Sequence, residues 1–166
     1  MKKMSLKEGR ITKQRLLDKL KLLQEKRKRI AKIKILPGEY IRDFIDGTAD
    51  ALTEQIDACI ENIVAAGDAV RRGEIGTAEG SGGADIASIK ERAALLLAEA
   101  ELCKEMGTQL PKSRETVSPG ASNAQLISVV TYDINSYERR TERLQNEVDA
   151  LSMRIAQLEI DTMVEI

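Results

Sequence analysis

Histidine is absent from this 166-residue chain, and so is tryptophan. Without an imidazole there is no Ser-His or Cys-His nucleophile pair, no ordinary proton shuttle near neutral pH and no histidine metal ligand. Di-iron helical bundles, which rest on Glu-x-x-His, are excluded on the same ground. Cysteine occurs only at Cys59 and Cys103, with no CxxC spacing. Two reduced, buried thiols acting as small apolar side chains are expected, since a zinc site needs more ligands than this chain offers. Aromatic residues make up 2% of the chain, fewer than sandwiches and barrels usually carry. No window approaches the run of roughly twenty apolar residues that spans a bilayer. The charges of Lys2 and Lys3 have no apolar stretch behind them, as a signal peptide would require. These absences point to a soluble, cytoplasmic, non-enzymatic protein with no cofactor, no metal and no evident small-molecule substrate.

What remains is rich in aliphatic and charged residues, at 42% hydrophobic and 32% charged overall. Leu, Ile, Val and Ala at alternating spacings of three and four put apolar side chains on one face of a helix, where they interdigitate with a neighbour. The sequence predicts an all-α fold: four long helices in two coiled-coil-like hairpins, with a short strand pair at one end. One helical domain covers 1–166, with a first hairpin at about 5–73, a Gly-rich loop at 74–84 and a second helical part at 85–166.

The first helix is expected to begin at Ser5, where Ser5-x-x-Glu8 reads as a capping box, or at Thr12, and to run to about Lys34. Its stripe is Leu16, Leu20, Leu23 and Ile30, interrupted by Arg27 and widened by Leu17. Pro37-Gly38 breaks the chain, and residues 40–45 read as a helical turn. The second helix, from about Thr48, carries Leu52, Ile56, Cys59, Ile63, Ala66 and Val70 in clean register and stops at Gly73, a suitable C-cap. Residues 76–83 read as a flexible loop; a P-loop would end in Gly-Lys-Ser/Thr and follow a strand. A third helix opens near Asp85 or Ser88 and ends at Gly107, on a stripe of Ile89, Ala93, Leu96, Ala100 and Cys103 widened by Leu97. Residues 108–122 read as loop, and the β-branched run 126–132 as a strand for which 33–36 is the partner.

The last helix is the strongest pattern. Ile134, Tyr137, Thr141, Leu144, Val148, Leu151, Ile155, Leu158 and Thr162 keep strict spacing over about four heptads. Ile134, Tyr137, Leu144, Val148, Leu151, Ile155 and Leu158 form the expected oligomer seam, with a second copy of the chain as partner.

Charge is distributed unevenly. Residues 1–34 hold fourteen Lys or Arg and three acids, a net of +11, which leaves −12 for the rest of a chain whose total is −1. Residues 39–68 hold eight acids (Glu39, Asp43, Asp46, Asp50, Glu54, Asp57, Glu61 and Asp68) against Arg42. The expected consequence is internal complementarity, an acidic second helix folded back on a basic first one. The alternative is a nucleic-acid-binding helix using Lys19, Lys21, Lys26, Arg27, Lys28, Arg29 and Lys32 to track phosphates. An anionic membrane surface is the less favoured partner. The carboxylates Asp43, Asp46 and Asp50 fall at helical spacing but have no second cluster to complete a cation site. Tyr40, Tyr132 and Tyr137 read as amphipathic packing residues at a bundle end.

The segment YDINSYERRTERLQNEVDALSMRIAQLEIDT (132–162) resembles the C-terminal part of a small family of bacterial helical proteins, some of which carry the name septicolysin. The matching positions are Asp133, Arg154, Ile155, Leu158 and Thr162, with further similarity at ENIVAAGDAV (61–70) and IKERAALLL (89–97). Residues 33–46 depart from the pattern. The resemblance implies a helical, oligomeric protein of largely unassigned function, and the name implies pore formation. The residues supply neither an export signal nor a hairpin apolar enough to insert. The function expected from the sequence is therefore a self-associating coiled-coil scaffold or interaction protein.

Overall fold

A computed structural model describes residues 3–40, 48–75, 82–116 and 125–161. The element order is α1 (Leu6–Ala31), β1 (Lys32–Ile35), α2 (Ala49–Ile75), α3 (Gly82–Gly107), β2 (Lys112–Thr116), β3 (Gln125–Val130) and α4 (Ile134–Asp161). Ser5 caps α1 as the sequence predicts: its Oγ accepts from the Glu8 amide at 3.2 Å, and the Glu8 carboxylate accepts from the Ser5 amide at 2.7 Å. The helix ends at Ala31 rather than near Lys34. Residues 32–35 read Lys-Ile-Lys-Ile, a period of two with β-branched side chains, and they pair as a strand instead. Pro37 and Gly38 then make a turn in which the Glu39 amide bonds the Leu36 carbonyl at 3.1 Å, with Gly38 at φ +92°. A glycine there removes the Cβ that would make this conformation costly. The expected turn at 40–45 lies mostly outside the described residues.

The four helices run up, down, up and down. α1 packs along α2, α3 along α4, and the two hairpins meet mainly through α2 and α3. The core is where the heptads put it: Leu20 and Leu23 from α1, Leu52, Ile56, Cys59 and Ile63 from α2, Leu96, Ala100 and Cys103 from α3, Tyr137 and Leu144 from α4. Toward the opposite end the stripes loosen, and Ala66, Val70, Ile89 and Ala93 are only half-buried. Leu97 does not widen the α3 stripe; it points outward and is 47% exposed.

Two helix ends differ from expectation. α2 continues past Gly73 to Ile75, and Gly73 acts as a contact point: a Cβ there would sit 3.3 Å from Leu6 Cδ1. α3 starts at Gly82, which places Ser88 inside the helix rather than at its cap. The loop expected at 76–83 lies outside the described residues up to position 81. Gly67 has a clearer role. A Cβ on it would collide with the Glu91 carboxylate, which bridges Lys13 of α1 (2.5 Å) and Arg71 of α2 (2.8 Å) and so ties three helices at one level.

At the other end of the bundle sits a three-stranded antiparallel sheet in the order β1-β3-β2, with Ile33 opposite Val129 and Arg114 opposite Ile127. The expected pair of strands is present, and β2 is an addition to it. Lys112–Thr116 has no apolar alternation, and it forms as an edge strand because β3 leaves one side of its ladder open. The sheet is fastened to the helices by Thr131, whose amide and Oγ1 donate to the Ala31 and Ile30 carbonyls at 3.0 and 2.5 Å. No described helix is long and apolar enough to cross a membrane.

Candidate functional site: a basic helix face above a buried charge network

Arg27, the residue that breaks the apolar stripe of α1, is 1% exposed. Its Nη1 donates to Glu99 Oε1 at 2.6 Å and to Thr53 Oγ1 at 3.0 Å, and its guanidinium lies over the Tyr137 ring, 5.9 Å from the centroid. Glu99 is fully buried and also accepts from Gln24 Nε2 at 3.0 Å, from Arg140 Nη2 at 3.4 Å and from the Cys103 thiol at 3.3 Å. Arg140 in turn forks onto Asp57, with Nη1 at 3.0 Å and Nη2 at 2.6 Å. The Tyr137 hydroxyl completes the set between Thr53 Oγ1 (2.7 Å) and Asp50 Oδ1 (3.2 Å). Every helix contributes, and the acids offset the buried guanidinium groups.

The surroundings change the acidity of several members. Burial, reinforced by the neighbouring Glu99 carboxylate, pushes the Cys103 thiol up to about 11. Burial likewise pushes the Tyr137 and Tyr132 phenols up to about 12. For Arg140, burial disfavours the cation, but the hydrogen bonds and charge of Asp57 outweigh it and hold the guanidinium above its usual value. Arg27 and Glu99 present no open face to solvent, so the centre of the network is closed. It joins side chains of all four helices. Both cysteines are free and buried.

Among the described residues the basic α1 forms no ion pair with the acids of 39–68; its ion pair to α2 joins Arg10 to Glu74. Asp57 is taken by Arg140 of α4, Glu61 by Arg92 of α3 and Asp68 by Arg71 of its own helix. Asp43 and Asp46 lie outside the described residues. The ion pairs of α1 go to Glu74 from Arg10, to Glu91 from Lys13 and to Glu99 from Arg27. Asp57 and Glu61 of α2 reach the second hairpin, which sequence composition cannot reveal.

The result is a cationic surface. Of the seven predicted polyanion-binding residues, Lys19, Lys21, Lys26, Lys28, Arg29 and Lys32 are exposed and form no ion pair among the described residues. Arg27 is the exception. Placed at a core position of the helix, it is buried and bound to Glu99, so it does not belong to the exposed cationic surface. Lys28 and Lys32 also border a groove between α1 and α3.

The predicted oligomer seam divides in two. Tyr137 and Leu144 are buried inside the chain, packed in the four-helix core, and have no surface left for a second copy. Ile134, Val148, Leu151, Ile155 and Leu158 are half-buried. Glu99 and Arg140, central to the network, carried weak signals: each sits one position off an apolar register, beside Ala100 and Thr141. No protein-family model, curated protein or solved structure matches the chain.

Proposed function

We propose that this protein binds polyanions, and specifically the phosphate backbone of nucleic acid, along the exposed face of α1. The observation that carries this reading is the set of six exposed cations at positions 19, 21, 26, 28, 29 and 32, left without carboxylate partners among the described residues while Asp57 and Glu61 of α2 pair with the second hairpin. At about 1.5 Å per residue, Lys19 to Arg29 spans about 15 Å, long enough to meet more than one backbone phosphate. At about 3.6 residues per turn Lys21 and Lys28 lie on one flank of this outward side and Lys19 and Lys26 on the other, with Arg29, Asp18 and Glu25 between them and Lys32 just past the helix end.

The test is anisotropy with a labelled oligonucleotide over a salt series. Binding is expected at low salt, with log K falling linearly in log salt by about 0.7–0.9 per phosphate neutralised. The triple variant Lys21→Glu, Lys28→Glu, Lys32→Glu should flatten that slope by about two or more and weaken binding at least about tenfold. A wild-type protein that leaves the oligonucleotide free at low salt refutes the reading.

A second reading, self-association through the C-terminal half of α4, is favoured by Met153 and Ile160. They lie one heptad apart and are 76% and 75% exposed, on a helix whose stripe there is only half-buried. Leu151 packs against the core and Ile155 is half-buried, so changing them would disturb the fold as well. The outward pair gives a cleaner test. Met153→Glu with Ile160→Glu should convert a multimer to a monomer in size-exclusion light scattering with helicity unchanged; a wild-type monomer at high concentration sinks the idea.

A further inference from the structure

We propose that the groove between α1 and α3 is a base pocket, so that the strand held on α1 is single-stranded nucleic acid with one base inserted beside Tyr132. This rests on the phosphate-binding reading above and adds what is recognised and where. The groove encloses about 340 Å³ at the end of the bundle that carries the sheet, the lower end of the roughly 300–1,000 Å³ typical of small-ligand sites. Its floor is apolar, made by Ala31, Leu102, Met106 and Tyr132.

The Tyr132 ring is held in place rather than free to swing. Its hydroxyl donates to the Met106 carbonyl at 2.7 Å, and its ring meets Tyr137 edge-on at 4.9 Å between centroids. An aromatic ring fixed in this way needs no further ordering when a second flat ring packs on it.

The rim supplies the second half of the argument. Lys28 and Lys32 border the groove and belong to the unneutralised cations of the α1 face. A ligand that fits must carry negative charge immediately beside a flat apolar group, which is the chemistry of a nucleotide. Glu105 and Gln109 on the α3 side add polar atoms at the wall. A carboxylate there repels a phosphate but accepts from an exocyclic amino group, as in acid readout of cytosine. The base is thus directed inward and the phosphates outward to the lysines. A duplex keeps its bases stacked and paired, so only a single strand can satisfy both halves.

Three ligands of equal length distinguish the outcomes: an intact single strand, a strand of abasic sites and a duplex, each titrated at fixed low salt. The intact strand is expected to bind about tenfold or more tighter than the abasic one, since base–aromatic stacking has that order of effect. Removing the ring with Tyr132→Leu should erase this preference by lowering intact-strand binding to the abasic level. Leu102→Gln, at a half-buried position outside the core cluster, should do the same by making the floor polar, which keeps the test valid if the first variant folds poorly. Equal binding of intact and abasic strands by the wild type overturns the base pocket and leaves the phosphate reading standing. A preference that survives in both folded variants also overturns it. If no ligand binds at low salt, both readings fall together.

Discussion

Glu99→Ala is expected to destabilise the protein by about 3–5 kcal/mol, the range seen when one partner of a buried ion pair is removed. Typical domains have about 5–15 kcal/mol in total, so the loss would be a large fraction of the whole. The substitution leaves the Arg27 guanidinium, 1% exposed, with Thr53 as its remaining hydrogen-bond partner, and removes the acceptor shared by Gln24, Cys103 and Arg140. Arg140 keeps its fork onto Asp57 and so is not orphaned. At about 2–4 °C per kcal/mol for a chain of this size, the melting temperature should fall by about 10 °C.

The double variant Arg27→Met, Glu99→Met separates the value of the pair from the cost of breaking it. With both charges gone, no uncompensated ion remains, and Thr53 still bonds the Ala49 carbonyl and the Tyr137 hydroxyl. The double variant should therefore be more stable than Glu99→Met alone, a non-additivity that urea denaturation of the four proteins would measure directly. A Glu99→Ala protein with the wild-type midpoint would show that water reaches Arg27 and that the network is not closed. If the double variant proves stable but associates or populates several forms, the network's contribution is to the register of the four helices rather than to their stability.

The contrast between Arg27 and its neighbours marks what the sequence can convey. The apolar registers of α2, α3 and α4 are local patterns, and they put Ile56, Leu96, Cys103 and Leu144 in the core without reference to any other helix. Arg27 stands at a core spacing of α1, and that position was itself the sign of a buried charge. Its partner, Glu99, lies 72 residues away on α3, and no local pattern links the two. The charge layout is incomplete for the same reason: composition shows that α1 is basic and α2 acidic, but not that Asp57 and Glu61 pair with α4 and α3. β2 was hidden because its residues follow no strand alternation and its existence depends on the free side of β3. The sheet's other half was legible because Lys32–Ile35 and Gln125–Val130 are rich in β-branched residues on their own account.

Stability should fall steeply on the alkaline side, and the groups responsible are Cys103, Tyr132 and Tyr137. Each is an acid whose folded value lies above its ordinary one: about 11 for the thiol and about 12 for the phenols. In the unfolded chain the thiol loses its proton near 8.5 and the phenols near 10, by approximate reference values. Between those limits the folded state binds more protons than the unfolded one, so unfolding releases protons and rising pH favours it. The native state is at full strength below about pH 8 with respect to these groups and loses their contribution from about pH 9 to pH 12. For Tyr137, which is 1% exposed, the loss approaches on the order of 2 kcal/mol at the top of the range. Tyr137→Phe separates this effect from general alkaline damage. It removes the hydroxyl bonded to Thr53 and Asp50 and should cost about 1 kcal/mol near neutral pH. The same variant should lose less stability than the wild type between pH 10 and 12, so the two curves converge and then cross as the pH rises. Urea midpoints across the range, with phenolate absorbance recorded alongside, test this; parallel curves would mean that the Tyr137 hydroxyl ionises in the folded protein as easily as in the unfolded one.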